Sequence, residues 1–92
     1  MSRYRYKAAP KFWRNYAKLT PRQRQSVVTA WKIFHEDPFD PRLRTHKIQR
    51  LSAAAKRTVY AVEIEADLRA VFILDGETVM TLDIGSHAIY KP

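Results

Sequence analysis

The residues that could support chemistry lie mostly in the last third of the chain. Arg69, His87 and Tyr90 are there, Glu63 comes just before Arg69, and His46 lies further upstream. Arginine can stabilise charge on a phosphate, imidazole can donate a proton near neutral pH, and a carboxylate or a second imidazole can act as base. On one shared surface these groups could cleave an RNA backbone without a metal. His87 would be the acid, and Glu63 or His46 the base.

Alternating apolar residues predict the strands that would carry these groups. The pattern has a period of two over residues 58–64, 68–74 and 78–84, which indicates an antiparallel meander, and a further strand is predicted at 46–51. Tyr60, Val62 and Ile64 are expected in the core. A three-residue turn at 65–67 would pair Ile64 with Leu68 and set Arg69 beside Glu63.

The turn between the last two strands presents a choice of register. Asp75-Gly76 favours a two-residue hairpin, but that register would expel the apolar side chains of the last strand. Burial of each such side chain contributes about 1.5–3 kcal/mol, so we predict an odd-numbered loop over residues 75–77. Asp83 would then lie opposite Arg69. The last residues would fold back, bringing His87 and Tyr90 over the same face.

Two helices are predicted before the meander, following an edge strand at residues 3–8. Pro10 suits the start of a helix that reaches about Leu19. Thr20, Pro21 and Gln23 match a capping box for a second helix that ends near residue 37. A stiff basic loop is expected at 38–44. Helical spacing favours a buried position for four aromatic residues, Phe12, Trp13, Trp31 and Phe34.

The charge of the chain is uneven. It has 92 residues and a net charge of +8. Residues 1–57 hold 15 basic and 3 acidic residues, whereas the remainder holds 2 basic and 6 acidic ones. This asymmetry favours a polyanionic partner, with nucleic acid ahead of a membrane, although solubility alone is an alternative explanation.

Composition excludes several other classes of protein. The chain is long enough for one core, so a single domain over residues 1–92 is expected. It has no cysteine and only 3 histidines, which excludes disulfides and thiolate zinc sites. We expect no metal, no small-molecule cofactor, no membrane span and no signal segment. The expected location is the cytoplasm.

Several short segments, in their order and spacing, resemble the RelE/ParE toxin superfamily. The order of a strand, two helices and a meander is part of the resemblance, which covers nearly the whole chain. The segments are Asp37-Pro38 at the end of the second helix, His46-Lys47-Ile48, Val59-Tyr60-Ala61-Val62, Leu68-Arg69-Ala70-Val71-Phe72, Ile84-Gly85-Ser86-His87 and Tyr90. The resemblance implies an α+β fold with an N-terminal strand, two helices and a meander packed on the helices. It also implies the toxin of a bacterial toxin–antitoxin pair, most often a ribosome-dependent endoribonuclease that cuts messenger RNA and is masked by a cognate antitoxin.

The resemblance also implies roles for individual residues. Arg69 matches an arginine on the scissile phosphate, His87 matches an acid after the final strand, and Tyr90 lies near a substrate-orienting aromatic residue. Some ribonuclease members have two lysines where this chain has Ala61 and Glu63. This departure keeps alternatives open, namely a ParE-like inhibitor of DNA gyrase or a non-catalytic basic module that binds RNA or protein.

Five basic residues are candidates for binding ribosomal or messenger RNA. They lie between the second helix and the meander, at Arg42, Arg44, Lys47, Arg50 and Arg57. Each could instead be an ordinary solvated side chain. Similarly, Arg69 between two carboxylates could be only a structural ion-pair row across the sheet.

Overall fold

The computed structural model describes residues 3–90 and has the α+β architecture predicted from the sequence. Five strands form one sheet in the order β1-β5-β4-β3-β2, with β1 parallel to β5 and the other pairs antiparallel. The elements are β1 (Arg5–Ala8), α1 (Pro10–Tyr16), α2 (Pro21–Glu36), a 3₁₀ helix (Pro41–Leu43), β2 (His46–Lys47), α3 (Gln49–Ala55), β3 (Val59–Glu65), β4 (Leu68–Asp75), β5 (Thr78–Gly85) and a second 3₁₀ helix (His87–Tyr90).

The start of α2 confirms the predicted capping box. The Thr20 hydroxyl accepts from the Gln23 amide at 3.1 Å, and the Gln23 side chain accepts from the Thr20 amide at 2.9 Å. Two backbone donors that the helix cannot satisfy are thereby paired. The helix ends at Glu36, just before the segment that contains Pro38, whereas α1 ends at Tyr16, three residues before the predicted end.

The first two helices, α1 and α2, cover one face of the sheet with a mainly aromatic core. Phe12 and Phe34 are buried there and pack with Phe72 of β4. The prediction that Trp13 is buried is wrong, because its side chain is 56% exposed. Adjacent helical residues point about 100° apart, so Phe12 and Trp13 cannot both face the sheet. Trp31 is only partly buried.

The opposite face of the sheet is also covered, which the sequence did not predict. The expected strand at 46–51 stops at Lys47, and a third helix follows. The alanine run at 53–55 has high helix propensity, so it favours a helix over a longer strand. The predicted loop at 38–44 likewise contains a 3₁₀ helix with Leu43 buried. Under α3 lies a second apolar cluster, formed by Val59, Ala61, Val71 and Ile73.

The hairpin between β3 and β4 has a bulge near its tip. Arg69 pairs with Glu63 as predicted, but Leu68 pairs with Glu65 rather than with Ile64. The extra residue on β3 lets a two-residue turn of Ala66 and Asp67 close the hairpin. The predicted three-residue turn is therefore wrong, although the predicted pairing of Arg69 with Glu63 is correct.

The hairpin between β4 and β5 corrects the predicted register. Asp75 pairs with Thr78, so the loop has two residues, and Gly76 has a φ of 62° that suits glycine. The predicted odd-numbered loop is wrong, since Val79 and Thr81 face the helices. Met80 and Leu82 are not expelled into water, because they pack in the cluster under α3.

A second bulge, at Leu82, reverses the faces of β5. Phe72 pairs with Thr81 and Val71 pairs with Asp83, which leaves Leu82 as the extra residue. Ile84 therefore returns to the helix-covered core, as predicted. Asp83 lies opposite Val71, so its predicted place opposite Arg69 is wrong.

Among residues 3–90, no helix is long and apolar enough to cross a membrane. The same part of the chain contains no group of three His, Cys, Asp or Glu side chains placed to hold a metal ion.

Candidate functional site

The β3–β4 hairpin and the end of β5 place Arg69 at one end of the sheet. Its Nη1 lies 3.4 Å from Glu63 Oε2, so the predicted pair of opposite charges forms. Nη2 donates to the carbonyl oxygen of Ala66 at 3.0 Å. Both contacts come from the same hairpin, and they fix the guanidinium relative to the turn.

The guanidinium of Arg69 is largely covered. Its side chain is 11% exposed, and Nε is buried with no hydrogen-bond partner among residues 3–90. An unsatisfied buried donor costs about 1–3 kcal/mol. The positive charge is therefore held in place by the surrounding fold rather than on a mobile surface side chain.

The second 3₁₀ helix brings the last described residues over the same face, as predicted. Gly85 ends β5 opposite Arg69, and Ile89 packs against it so closely that an added Cβ would lie 2.8 Å from Ile89 Cγ2. Only glycine leaves room for this approach. The fold-back brings the Tyr90 hydroxyl to 3.4 Å from Arg69 Nη1, from which it accepts a hydrogen bond.

His87 is held by an aspartate that the sequence analysis did not identify. Its Nδ1 lies 2.8 Å from Asp67 Oδ1, and its backbone amide donates to the same oxygen at 3.2 Å. The hydrogen bond from His87 lowers the pKa of the Asp67 carboxyl. Asp67 could have been identified from its position in the turn just before Arg69, because that turn lies next to the end of β5.

The imidazole of His87 faces solvent on its other side. Its side chain is 56% exposed, and its ring lies edge-on to Tyr90 with 5.6 Å between ring centroids. A carboxylate that accepts from Nδ1–H fixes the tautomer and turns Nε2 outward. Within the described part of the chain, Nε2 has no hydrogen-bond partner. Such a group can give or take a proton.

Two other predicted residues lie outside this cluster. His46 is on β2, separated from β4 by β3, and its Nδ1 lies 2.8 Å from the carbonyl oxygen of Arg44. Asp83 bonds instead to Asn15 of α1 at 2.6 Å. The predicted row across three strands therefore contains Glu63 and Arg69, and Asp83 is not part of it.

The five basic candidates are all exposed on the segment between α2 and β3. Arg42 differs from the others because Asp40 holds it through two hydrogen bonds of 3.0 Å, from Nε and Nη2. The same contacts lower the pKa of Asp40 to about 2. The structure assigns no ion pair to the other four within residues 3–90, which are Arg44, Lys47, Arg50 and Arg57.

Comparison with known proteins finds similarity in structure but not in sequence. No family model matches the chain, and no curated protein matches it. The toxin–antitoxin complex DinJ-YafQ of E. coli contains a chain with a TM-score of 0.73 at 10% identity, covering 95% of this chain and 96% of that one.

Two further solved structures agree with this result. The archaeal RelE-RelB complex from Pyrococcus horikoshii gives a TM-score of 0.70 at 12% identity, over 91% of this chain and 94% of that one. The YoeB/ParE toxin from Agrobacterium tumefaciens gives 0.68 at 12% identity, over 90% and 98%. The fold of this chain is therefore RelE-like, which confirms the fold that the sequence resemblance implied.

Proposed function

We propose that the chain is the toxin of a toxin–antitoxin pair and acts as a metal-independent endoribonuclease on messenger RNA. The observation that carries this proposal is the Asp67–His87 pair, with a 2.8 Å contact on Nδ1 and the half-exposed imidazole 5.6 Å from the ring of Tyr90, the hydroxyl of which accepts from Arg69. An oriented imidazole next to a fixed positive charge is an arrangement suited to acid–base chemistry on a phosphate.

In this mechanism the RNA supplies its own nucleophile. A base removes the proton from a 2′-hydroxyl, and the 2′-oxygen attacks the adjacent phosphorus. The bond to the 5′-oxygen of the next nucleotide breaks, leaving a 2′,3′-cyclic phosphate. His87, protonated on both ring nitrogens, gives its Nε2 proton to the departing 5′-oxygen and keeps the Nδ1 proton that faces Asp67. Because the 2′-hydroxyl is required, RNA is cut and DNA is not.

Glu63 is the better placed of the two candidate bases. Its carboxylate is 27% exposed and lies 3.4 Å from Arg69, whereas His46 is two strands away from β4. Arg69 stabilises charge that builds up on the phosphoryl oxygens. Tyr90 accepts from Arg69 and can donate its own hydroxyl proton to a phosphate oxygen.

Two kinds of partner are proposed: RNA, from the positive charge of the chain, and an antitoxin, from the solved structures that it resembles. Arg44, Lys47, Arg50 and Arg57 form an exposed basic segment suited to the phosphates of messenger and ribosomal RNA. The similar proteins DinJ-YafQ and RelE-RelB are described as complexes, and by analogy a cognate antitoxin covers this chain in the cytoplasm.

Inducible expression with mapping of messenger RNA 5′ ends tests the proposal. His87→Ala and Arg69→Ala should each lower cleavage about 10²- to 10⁴-fold. His35→Ala is the matched control, because His35 is an exposed histidine on α2 and should leave cleavage unchanged. Unaltered cleavage in the His87 variant would show that the site is wrong.

A non-catalytic module is the second candidate, and the covered state of Arg69 favours it. The guanidinium already faces Glu63, so a phosphate must compete with a carboxylate for it. This candidate predicts salt-dependent RNA binding without products. A ParE-like gyrase inhibitor would instead induce DNA damage while transcripts stay intact.

A further inference from the structure

Two internal hydrogen bonds close the segment at residues 86–90, here called the 86–90 turn. The carbonyl oxygen of Ser86 accepts from the Ile89 amide at 3.1 Å, and the Ser86 hydroxyl accepts from the Ala88 amide at 3.2 Å. These bonds fix the backbone that carries His87, Ile89 and Tyr90. A shift of one of these side chains relative to the sheet therefore shifts the others with it.

The polar contacts between the 86–90 turn and the β3–β4 hairpin are exposed or long. The side chains of His87 and Asp67 are 56% and 70% exposed, and solvent-facing pairs of this kind contribute little stability because water competes for both partners. The Tyr90 hydroxyl lies 3.4 Å from Arg69 Nη1, which is longer than most hydrogen bonds. These contacts orient the side chains, but the turn needs a further contact to hold it against the sheet.

Ile89 supplies an apolar contact of the required kind. Its side chain is partly buried and packs, together with that of Tyr90, on the apolar cluster beneath α3. Ile89 has no polar group in its side chain, so this contact depends on shape and on the removal of apolar surface from water. The depth at which Ile89 packs therefore sets the distance of the 86–90 turn from the sheet.

Gly85 provides the space into which Ile89 packs. Gly85 pairs with Arg69 across β4 and β5, and paired residues project on the same face of a sheet. The Cβ of any other residue at position 85 would lie 2.8 Å from Ile89 Cγ2, well inside the 3.5–4.0 Å at which carbon atoms pack. This methyl is bonded directly to Cβ of a β-branched side chain, which resists rotation about χ1. A side chain at position 85 would therefore displace the turn itself.

We propose that Gly85 and Ile89 are positioning residues for the candidate site. Ile89 occupies the space that a side chain at position 85 would need, and this fit places His87 and Tyr90 together. The proposal rests on the proposed function, in which these two groups act on the RNA. Gly85 and Ile89 act through the backbone of the 86–90 turn and need no contact with the substrate.

Gly85→Ala tests the proposal through two measurements. The added methyl should move His87 away from Asp67, so RNA cleavage should fall about tenfold or more. The pKa of Asp67, which the hydrogen bond from His87 lowers, should rise toward its ordinary value of 3.8. An NMR titration of this carboxyl measures the second effect without RNA. Unchanged cleavage, or an unchanged pKa of Asp67, would overturn the proposal.

Two substitutions at Ile89 show whether its Cγ2 methyl is the group that an alanine at position 85 displaces. Leucine has the same number of carbon atoms but only one carbon on Cβ, whereas valine keeps both. In the Gly85→Ala background, Ile89→Leu should restore cleavage to within about threefold of the original chain and return the pKa of Asp67. Ile89→Val should restore neither. Rescue by both substitutions, or by neither, would overturn the proposal.

Gly76 is the matched control, because the chain has only 2 glycines and their surroundings differ. A Cβ added at Gly76 would meet nothing within 4 Å, but its φ of 62° is unfavourable for alanine. Gly76→Ala should lower the stability of the fold while leaving the pKa of Asp67 and the cleavage per folded molecule unchanged. A loss of cleavage per folded molecule equal to that of Gly85→Ala would overturn the proposal.

The NMR measurement separates this proposal from the proposed function. If the chain cleaves no RNA, but the pKa of Asp67 rises in Gly85→Ala and returns with Ile89→Leu, the positioning pair is upheld and the nuclease is overturned. If cleavage depends on His87 but Gly85→Ala leaves it unchanged, the nuclease is upheld and the positioning pair is overturned.

Discussion

The two faces of the sheet are built in different ways. The face beneath α1 and α2 has a buried aromatic core, with Phe12, Phe34 and Phe72 each at most 1% exposed. The face beneath α3 has smaller aliphatic residues, such as Ala61 and Val71, and polar groups at both ends. The first face is suited to holding the fold, and the second to binding.

The difference shows why the candidate site lies where it does. Close packing of aromatic rings fills the centre of the first face, and any change there disturbs the core. The shorter side chains under α3 leave a pocket, and Arg69 and Asp83 flank it along the sheet. We therefore expect substitutions on the first face to affect stability and substitutions at the edge of the second to affect activity.

The largest effect is expected for Phe72→Ala. Phe72 is fully buried, so its truncation should lower the free energy of unfolding by about 3–5 kcal/mol. Its neighbour Val71 faces the other way, and Val71→Ala should cost about 2 kcal/mol. Urea unfolding of both variants measures the difference, and equal losses would contradict the contrast between the faces.

Asp67→Asn should lower activity while leaving the fold intact. The variant replaces the carboxylate that orients His87, so we expect RNA cleavage to fall about ten- to a hundredfold. The free energy of unfolding should change by less than about 0.5 kcal/mol, since Asp67 is exposed. Asp75→Asn is the control, because Asp75 is the exposed last residue of β4, at the other end of that strand. Full activity of Asp67→Asn would remove the positioning role.

Thr20→Ala tests how far the helix-covered face depends on α2. Loss of the capping hydroxyl should cost about 1 kcal/mol in the free energy of unfolding, measured by thermal or urea denaturation. Thr29→Ala is the control, because the Thr29 hydroxyl donates to the carbonyl oxygen of Gln25 within the same helix and does not cap its start. A loss of RNA cleavage greater than the loss of folded protein can account for would contradict the separation of the two faces.

The smallest effect is a shift in one carboxyl titration. His87 lowers the pKa of Asp67, so this pair contributes stability at a pH above the ordinary value of 3.8 and loses it as the pH falls through the lowered pKa. In His87→Ala, NMR should show the pKa of Asp67 rising toward 3.8. The pKa of Asp40, held at about 2 by Arg42, should not move. An unchanged Asp67 titration would mean that the contact with His87 is absent in solution.

Local sequence signals predicted much of the fold because their physics is local. The capping box at Thr20, the end of α2 before Pro38 and the pairing of Arg69 with Glu63 depend on neighbouring residues or on simple alternation. The order of β1, α1, α2 and the three strands of the meander followed from the change in hydrophobic period, whereas α3 was not predicted. The fold-back of the last residues over Arg69 was also confirmed, through the contact of Tyr90.

Only the tertiary structure decided which residues meet at the sites. Residue types alone nominated Arg69, His87 and Tyr90, but Asp67 joined His87 only through a hairpin turn that meets the end of β5. The two-residue turn and the bulge at Leu82 each shift the register by one residue, so Asp83 lies opposite Val71 rather than opposite Arg69. The sequence determines which side chains are apolar. Whether one or both faces of the sheet are covered depends on how the helices pack, and a local sequence pattern does not specify that packing.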